Sequence, residues 1–405
     1  MTVSTAPEID LMDLSIFEQS REDEVYDILR KHDPVHWNAP SDRGPGFWAL
    51  TRYDDVRDAA SDHERLSSAH GTQIVDRRVE GYGAPSIHNM DEPEHGKYRR
   101  IATPLLRQKK VQEWQHVIDT TVQQLLDDAE RLGEFDLVPT VSARLPMLVL
   151  AQVLGVPEAD APKMVDWTNR LTSSDPDHKV DAAALAAARE EVLDYFSYLT
   201  EARRKEPQND MVSVLAHGKK DDRPLTWDEL SAYYIVLVAA GNETTRQAIS
   251  GGTLVLHEHP DAWQRVLADE SLVPPMVEEI LRYVSPIQAM RRTAVVDLEI
   301  RNRQIKAGDK VVLFFGAANR DPEVFDDPHA FRIDRTPNDH ITFGWGVHFC
   351  LGAHLARAEI RTYFAEARRR GLTFDVTGEP KRVRHNIFRG WTSLPVRVGR
   401  VGGGR

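Results

Sequence analysis

The 405-residue sequence contains a single cysteine, Cys350. No internal disulfide can form. A multi-cysteine zinc site, a four-cysteine iron–sulfur cluster and haem attachment through a paired-cysteine motif are equally excluded. A chain without disulfides suits a reducing compartment, and a cytoplasmic location is expected. Long apolar runs are lacking too. The most apolar stretch, Tyr233 to Gly241, is far shorter than the roughly 20 residues that cross a bilayer, and it runs into Asn242 and Glu243. The N-terminus is acidic, is interrupted by Pro7, and has no basic start leading into an apolar segment, so neither a secretory signal nor a membrane partner is expected. Positive charge is in deficit: 51 basic against 63 acidic residues give a net charge of -12. Nucleic-acid binding, which depends on neutralising phosphates, is therefore not expected. No Gly/Ser linker, low-complexity block or repeat divides the chain, so one domain over residues 1–405 is expected, with a frayed glycine-rich tail at 398–405.

What is present reads mainly as helix. A capping box at Thr226 and Glu229 opens a helical pattern of more than thirty residues, a rod of roughly 50 Å that must cross the core. The stretch from Gly46 begins as strand and returns to helix, and residues 66 to 90 read as a long irregular loop of the kind that carries function. Strand-like pairs lie at 298–315 and in the segments from Leu372 and Leu394. The fold class is mainly α with smaller β regions.

A lone cysteine is commonly a buried core thiol. Here its surroundings point elsewhere. Gly344 and Gly346 precede it, Gly352 follows, and a helical pattern resumes at about Leu351. Amide groups at a helix start stabilise a thiolate. Phe343, Trp345 and Phe349 are expected to shield it from water. A shielded anionic sulfur suits a metal ligand, and with one cysteine the most fitting metal is haem iron.

The run FGWGVHFCLG resembles the haem-binding signature of the cytochrome P450 family, with His348 in the basic slot. Three more motifs follow the family's order, so the resemblance covers nearly the whole chain. It implies the cytochrome P450 fold, with haem b buried between a long central helix and the cysteine loop, and Cys350 as axial ligand. In EEILR it implies a buried structural pair, Glu279 and Arg282, completed by Arg332 or Arg335. In AAGNETTR it implies Glu243 and Thr244 as the acid–threonine pair that serves oxygen activation, a local opening of the helix, and a dioxygen groove at Ala240 and Gly241. His95, Arg99, Arg292 and His348 are implied as propionate ligands, with Arg291 the alternative to Arg292, and Phe343 flanks the cofactor.

Substrate-lining positions implied by the family are His88 and the preceding loop, Val236, Ala239, Ile287, Gln288, Ala289, Met290 and Trp391. They are mostly apolar, so a hydrophobic small molecule is expected: a sterol, terpenoid, fatty acid or natural-product intermediate. The sequence carries no flavin or NAD fingerprint, which implies electrons from a ferredoxin and ferredoxin reductase. The basic cluster Lys97, Arg100, Arg107, Lys109 and Lys110 reads either as a solvated helix face or as a docking patch for such a carrier. The expected activity is haem-thiolate monooxygenation with O2. The alternatives are a non-hydroxylating oxidation in natural-product tailoring and a non-catalytic haem-thiolate sensor.

Overall fold

The computed structural model describes residues 9–76, 84–172 and 182–401. The loop expected at 66–90 holds a two-residue strand, Leu66–Ser67, and a short 3-10 turn, Ile87–Asn89; residues 77–83 and the end of the glycine-rich tail lie outside the described residues. The opening helical pattern forms two helices, Ser15–Glu18 and Glu22–His32, separated at Ser20, where φ is 57°.

The central helix is Trp227–Glu258, 32 residues long. Its start is fixed by the capping box: Thr226 Oγ1 accepts the Glu229 N–H at 3.3 Å, and a Glu229 carboxylate oxygen accepts the Thr226 N–H at 2.7 Å. At 1.5 Å per residue the rod is about 48 Å long. It packs against Arg144–Leu154, Ala161–Thr172, Ala182–Lys205, Val273–Val284 and Ala353–Arg369, so helices enclose it on several sides. The expected local opening is absent: the helix is continuous through Ala240–Thr245. Glycine and threonine each cost at most about 1 kcal/mol in a helix interior. Packing of the helix against the helices around it overrides that weak local preference.

The main sheet has five strands in the order Val35–Asn38, Phe47–Leu50, Lys310–Phe314, Ala289–Ala294 and Leu66–Ser67. Only the second and third are parallel. Arg291 and Arg292 lie inside the strand Ala289–Ala294, where the sequence reading put Arg292 ahead of it, and successive residues of a strand point to opposite faces. A second sheet joins Leu372–Val376, Pro395–Arg400 and Glu134–Asp136.

Helix Val273–Val284 carries a charge cluster that anchors the second half of the chain. Glu279 and Arg282 are both 0% exposed, and two parallel hydrogen bonds of 2.8 Å join them. Arg335 Nε donates to the same carboxylate at 3.1 and 3.2 Å, Arg332 adds its backbone N–H at 2.8 Å, and Asn338 its amide at 3.1 Å. Arg335 is thus the side-chain partner, while the Arg332 guanidinium pairs with Asp326 at the surface. Arg282 also donates to the carbonyls of Asn319, Pro328 and Ala330. Removing one member strands buried charge, at a cost of about 3–5 kcal/mol. Glu279→Ala and Arg282→Ala are expected to give mostly insoluble protein or an unfolding midpoint shifted by that amount in denaturant titration. Soluble variants with the parental midpoint would reduce the cluster to a minor ion pair.

Candidate functional site

The cysteine lies in a tight loop closed by its own backbone: the Cys350 N–H donates to the Phe343 carbonyl at 2.8 Å. Gly344 and Gly346 have φ of 73° and 71°, where side chains are strained. A Cβ on Gly346 would also come within 2.9 Å of the Ala60 carbonyl. These two glycines therefore serve the turn and its seat against helix Tyr53–Ser61. The next helix, Ala353–Arg369, starts three residues beyond the cysteine, and the Gly352 N–H donates to the sulfur. Phe343 is half-buried, with the Arg357 guanidinium 4.3 Å from its ring centre. Trp345 and Phe349 do not shield the sulfur as expected; both present large exposed surfaces.

Cys350 has accessible surface, yet protein atoms crowd it so closely that burial pushes its thiol pKa up, against the Gly352 N–H and the charges of Arg99 and Arg357. A side chain that is both crowded and accessible faces an internal hollow. A bound cation would be needed to hold this sulfur as a thiolate.

Cationic side chains gather beside it. Burial, followed by the fields of Arg292, His95, Arg99 and His88, pulls His348 down to about 3. Its Nε2 is buried without a partner. The His95 ring lies 4.2 Å from the His348 ring, and its Nδ1 is held by Glu92 at 3.1 Å. Arg99 donates to the Phe349 carbonyl at 2.6 Å. Burial lowers Arg292 to about 10, and among the described residues its guanidinium donates only to the Arg291 carbonyl, at 2.9 Å. Arg291 points the other way, toward Asp76, the carbonyls of His70 and Gln73, and the Thr293 hydroxyl. Buried cations elsewhere in the chain are matched: Arg389 meets Glu22 and Asp23. The site therefore gathers two arginines and two imidazoles beside a metal-competent sulfur, hydrogen-bond donors that the two carboxylates of a porphyrin can engage. The residues fit haem.

The opposite wall is the central helix. Val236, Ala239, Ala240, Gly241 and Thr244 keep accessible surface, while Val238, Asn242, Glu243 and Thr245 are buried. The accessible positions recur at helical spacing and form one stripe. The turn Ile87–Asn89 packs on this helix, and His88, held through Nδ1 by Ser86 at 3.0 Å, acts electrically on His348. Stripe and cysteine loop thus border one hollow. A Cβ on Gly241 would meet Leu150 at 2.7 Å, so this glycine admits the neighbouring helix.

Glu243 is turned about 100° around the helix from Thr244 and is buried. Arg246 Nη2 straddles its carboxylate, 2.5 Å from Oε1, and the Gln247 amide donates to Oε1 at 2.7 Å. Sequence reasoning passed over Arg246 and Gln247, although their spacing of three and four from Glu243 is a signal for contact on a helix. Glu92, three before His95, was missed in the same way.

Several positions taken as lining do not reach the hollow. Gln288 and Ala289 are 0% exposed, and Gln288 accepts the Tyr26 hydroxyl at 3.0 Å. Trp391 is buried with its ring against Gly251 and beneath Arg382. Ile287 and Met290 are half-buried, each packed on its own side of the main sheet's core. The strand pairs these residues inward on both faces, a burial that apolar composition alone could not distinguish from a pocket wall.

The Cytochrome P450 family profile matches residues 158–388. The methyl-branched lipid omega-hydroxylase of Mycobacterium tuberculosis is 35% identical over 96% of this chain and 94% of its own. The steroid C26-monooxygenase of Mycolicibacterium smegmatis is 35% identical over 88% of this chain and 87% of its own. Among solved structures, a Mycobacterium marinum cytochrome P450 in complex with pseudoionone superposes with a TM-score of 0.90 at 30% identity, covering 98% of this chain and 100% of that one.

The two arginines provide a test of the donor cluster. A hydrogen bond to a charged group contributes about 1.5–3 kcal/mol. Arg292→Leu should therefore raise the rate of haem transfer to an acceptor protein by about 10–100-fold, while Arg291→Leu should leave it near the parental value and loosen residues 70–76 to proteolysis. The reverse order would place the cofactor on the other face of the strand.

Proposed function

The chain belongs to the cytochrome P450 family, and from that membership we propose that it is a haem b monooxygenase hydroxylating a hydrophobic lipid, steroid or terpenoid. The observation that carries this reading is the pairing of a crowded but accessible Cys350, beside two arginines and two imidazoles, with the stripe of the central helix that presents Thr244. Cys350 would ligate the iron, and His95, Arg99, Arg292 and His348 would hold the propionates. Bound there, haem supplies the reductive activation of dioxygen and the transfer of one oxygen atom to a C–H bond.

The chain's own residues do the rest. Val236, Ala239 and Ala240 keep the distal side apolar and narrow. Thr244 presents a hydroxyl that can donate a hydrogen bond and hold a water molecule. Glu243 is the buried acid behind it, a proton source that reaches the hollow through water once its grip on Arg246 is relaxed. His88 is held neutral at ordinary pH, since burial lowers it to about 4, and it offers one polar contact in an otherwise apolar lining. Relatives named for a methyl-branched lipid and a steroid, and a structural neighbour holding pseudoionone, support the substrate class. A spectral binding screen over sterols, terpenoids and branched fatty acids tests it: a ligand of this class should shift the Soret band, and a response confined to small aromatic acids would reject it.

The electron donor is read as a ferredoxin served by its reductase, in the cytoplasm. Of the basic cluster, Lys97 is bound to Glu94 and Asp221, and Lys110 to Glu113. Arg100, Arg107 and Lys109 are exposed and form no ion pair among the described residues, so the free positive charge of the patch rests on these three. Converting them together to glutamine should slow reduction by a ferredoxin at low salt, and the defect should shrink as ionic strength rises and screening shortens below about 10 Å. Dithionite reduction should not change. Equal ferredoxin rates at low salt would dismiss the patch.

Thr244→Ala separates turnover from binding. Alanine keeps the helix and most of the volume, so haem content and substrate affinity should stay near parental values. Loss of one positioned donor costs roughly 10²–10³ in the step it serves. Product per NADH consumed should drop and hydrogen peroxide should rise. Parental coupling in the variant would remove Thr244 from the chemistry.

A further inference from the structure

Gln247 is fully buried in the central helix, one turn beyond Glu243, and both ends of its amide are engaged. Its Nε2 donates to Glu243 Oε1 at 2.7 Å, and its Oε1 accepts the backbone N–H of Trp391 at 2.7 Å. The approach is so close that a Cβ on Gly390 would lie 2.0 Å from the Gln247 amide. Residues 387–391 are in turn laced to residues 286–288: Gln288 N–H donates to the Ile387 carbonyl at 2.7 Å, and Arg389 N–H to the Pro286 carbonyl at 2.9 Å. One side chain therefore connects Glu243 to a paired backbone unit from two distant parts of the chain.

The Glu243 environment is only partly satisfied. Its Oε2 and the Arg246 Nε are buried with no aligned hydrogen-bond partner. Gln247 holds Oε1 alone, whereas Arg246 Nη2 lies against both oxygens of the carboxylate. The directional hydrogen bond from Gln247 therefore sets how the carboxylate is turned within its ion pair.

We propose that Gln247 is a positioning residue for proton delivery: its amide holds Glu243 in register with the turn at Gly390–Trp391, so that movement of that turn, including movement caused by substrate, alters the acid's placement. The proposal rests on the reading of Glu243 as proton source. Gln247 touches neither the hollow nor the cysteine loop, so its effect must pass through Glu243. Substrate binding should be spared, and the fate of reducing equivalents should change.

Two variants divide the functions of the amide. Gln247→Met keeps the volume and removes both hydrogen bonds. Gln247→Glu keeps an oxygen for the Trp391 N–H and removes the donor to Glu243. Two measurements are made on haem-loaded protein: hydrogen exchange of the peptide holding Trp391, and product per NADH with a substrate that shifts the Soret band. Gln247→Met should lose protection at Trp391 and lower product per NADH, by about tenfold as for other residues that orient a catalytic group. Gln247→Glu should keep the protection yet be uncoupled to a similar degree, with the spectral dissociation constant of substrate unchanged in both. If Gln247→Glu couples like the parent, the amide is only a structural tie and the proposal is wrong, and this variant decides even where Gln247→Met fails to fold. A parent that turns over no substrate defeats the monooxygenase reading itself, an outcome distinct from parental coupling in the variants.

Discussion

A single buried carboxylate, Glu279, determines where the cysteine can be. It gathers Arg282, Arg335, the Arg332 backbone and Asn338 at a point with no exposure to water. A charge so enclosed is tolerable only when every partner is present. Arg282 carries the constraint onward through the Asn319 carbonyl, and Asn319 then binds the Ile341 N–H and the Thr342 hydroxyl. Thr342 donates in turn to the Leu281 carbonyl of the same helix as Glu279. Phe343 follows directly, and its carbonyl closes the loop on Cys350. The ligand loop is thereby held to helix Val273–Val284 by a short chain of buried hydrogen bonds, with no reliance on its own glycine-rich backbone for rigidity.

The two charge clusters of the molecule are built on different rules. Around Glu279 donors and acceptors are matched inside the protein. Around His348 they are only partly matched: Glu92 holds His95, while His348 Nε2 and the Arg292 guanidinium meet no carboxylate among the described residues. Unmatched buried cations are unfavourable by themselves. They make sense as half of an interaction whose other half is an anionic cofactor. Under the proposed function, folding stability and cofactor retention fall to different clusters, and mutations in them should have separable effects. The acid in the central helix follows a third arrangement: Glu243 is buried in an ion pair with Arg246 and tied through Gln247 to the backbone of Trp391.

Much of this was legible in the sequence wherever the pattern was local. The capping box at Thr226 and Glu229, the long helix and the turn glycines around Cys350 all depend on neighbours within a few residues. The choice between Arg332 and Arg335 did not, because they lie 53 and 56 residues from Glu279 and only the folded path of residues 326–338 brings one guanidinium inward. The burial of Ala289 and Trp391 was hidden for a similar reason: apolar residues on a strand bury against core as readily as against a ligand, while Gln288 is buried by a partner 262 residues away, Tyr26. The continuous helix at Gly241 shows weak local propensity overridden by packing, with Leu150 filling the space a side chain would need. Gln247 was invisible as a bridge, since its second partner is 144 residues away.

The central claim is that Cys350 is the axial thiolate of a bound haem. It is tested most directly by the absorption spectrum of the reduced carbon-monoxide complex, recorded for the parent and for Cys350→Ser. The account predicts the red-shifted Soret band of a thiolate-ligated haem in the parent and its loss in the variant, with protein that is still folded because Glu279 and its partners are untouched. A variant that keeps the band, or a colourless parent purified with iron and haem precursors supplied, would contradict it.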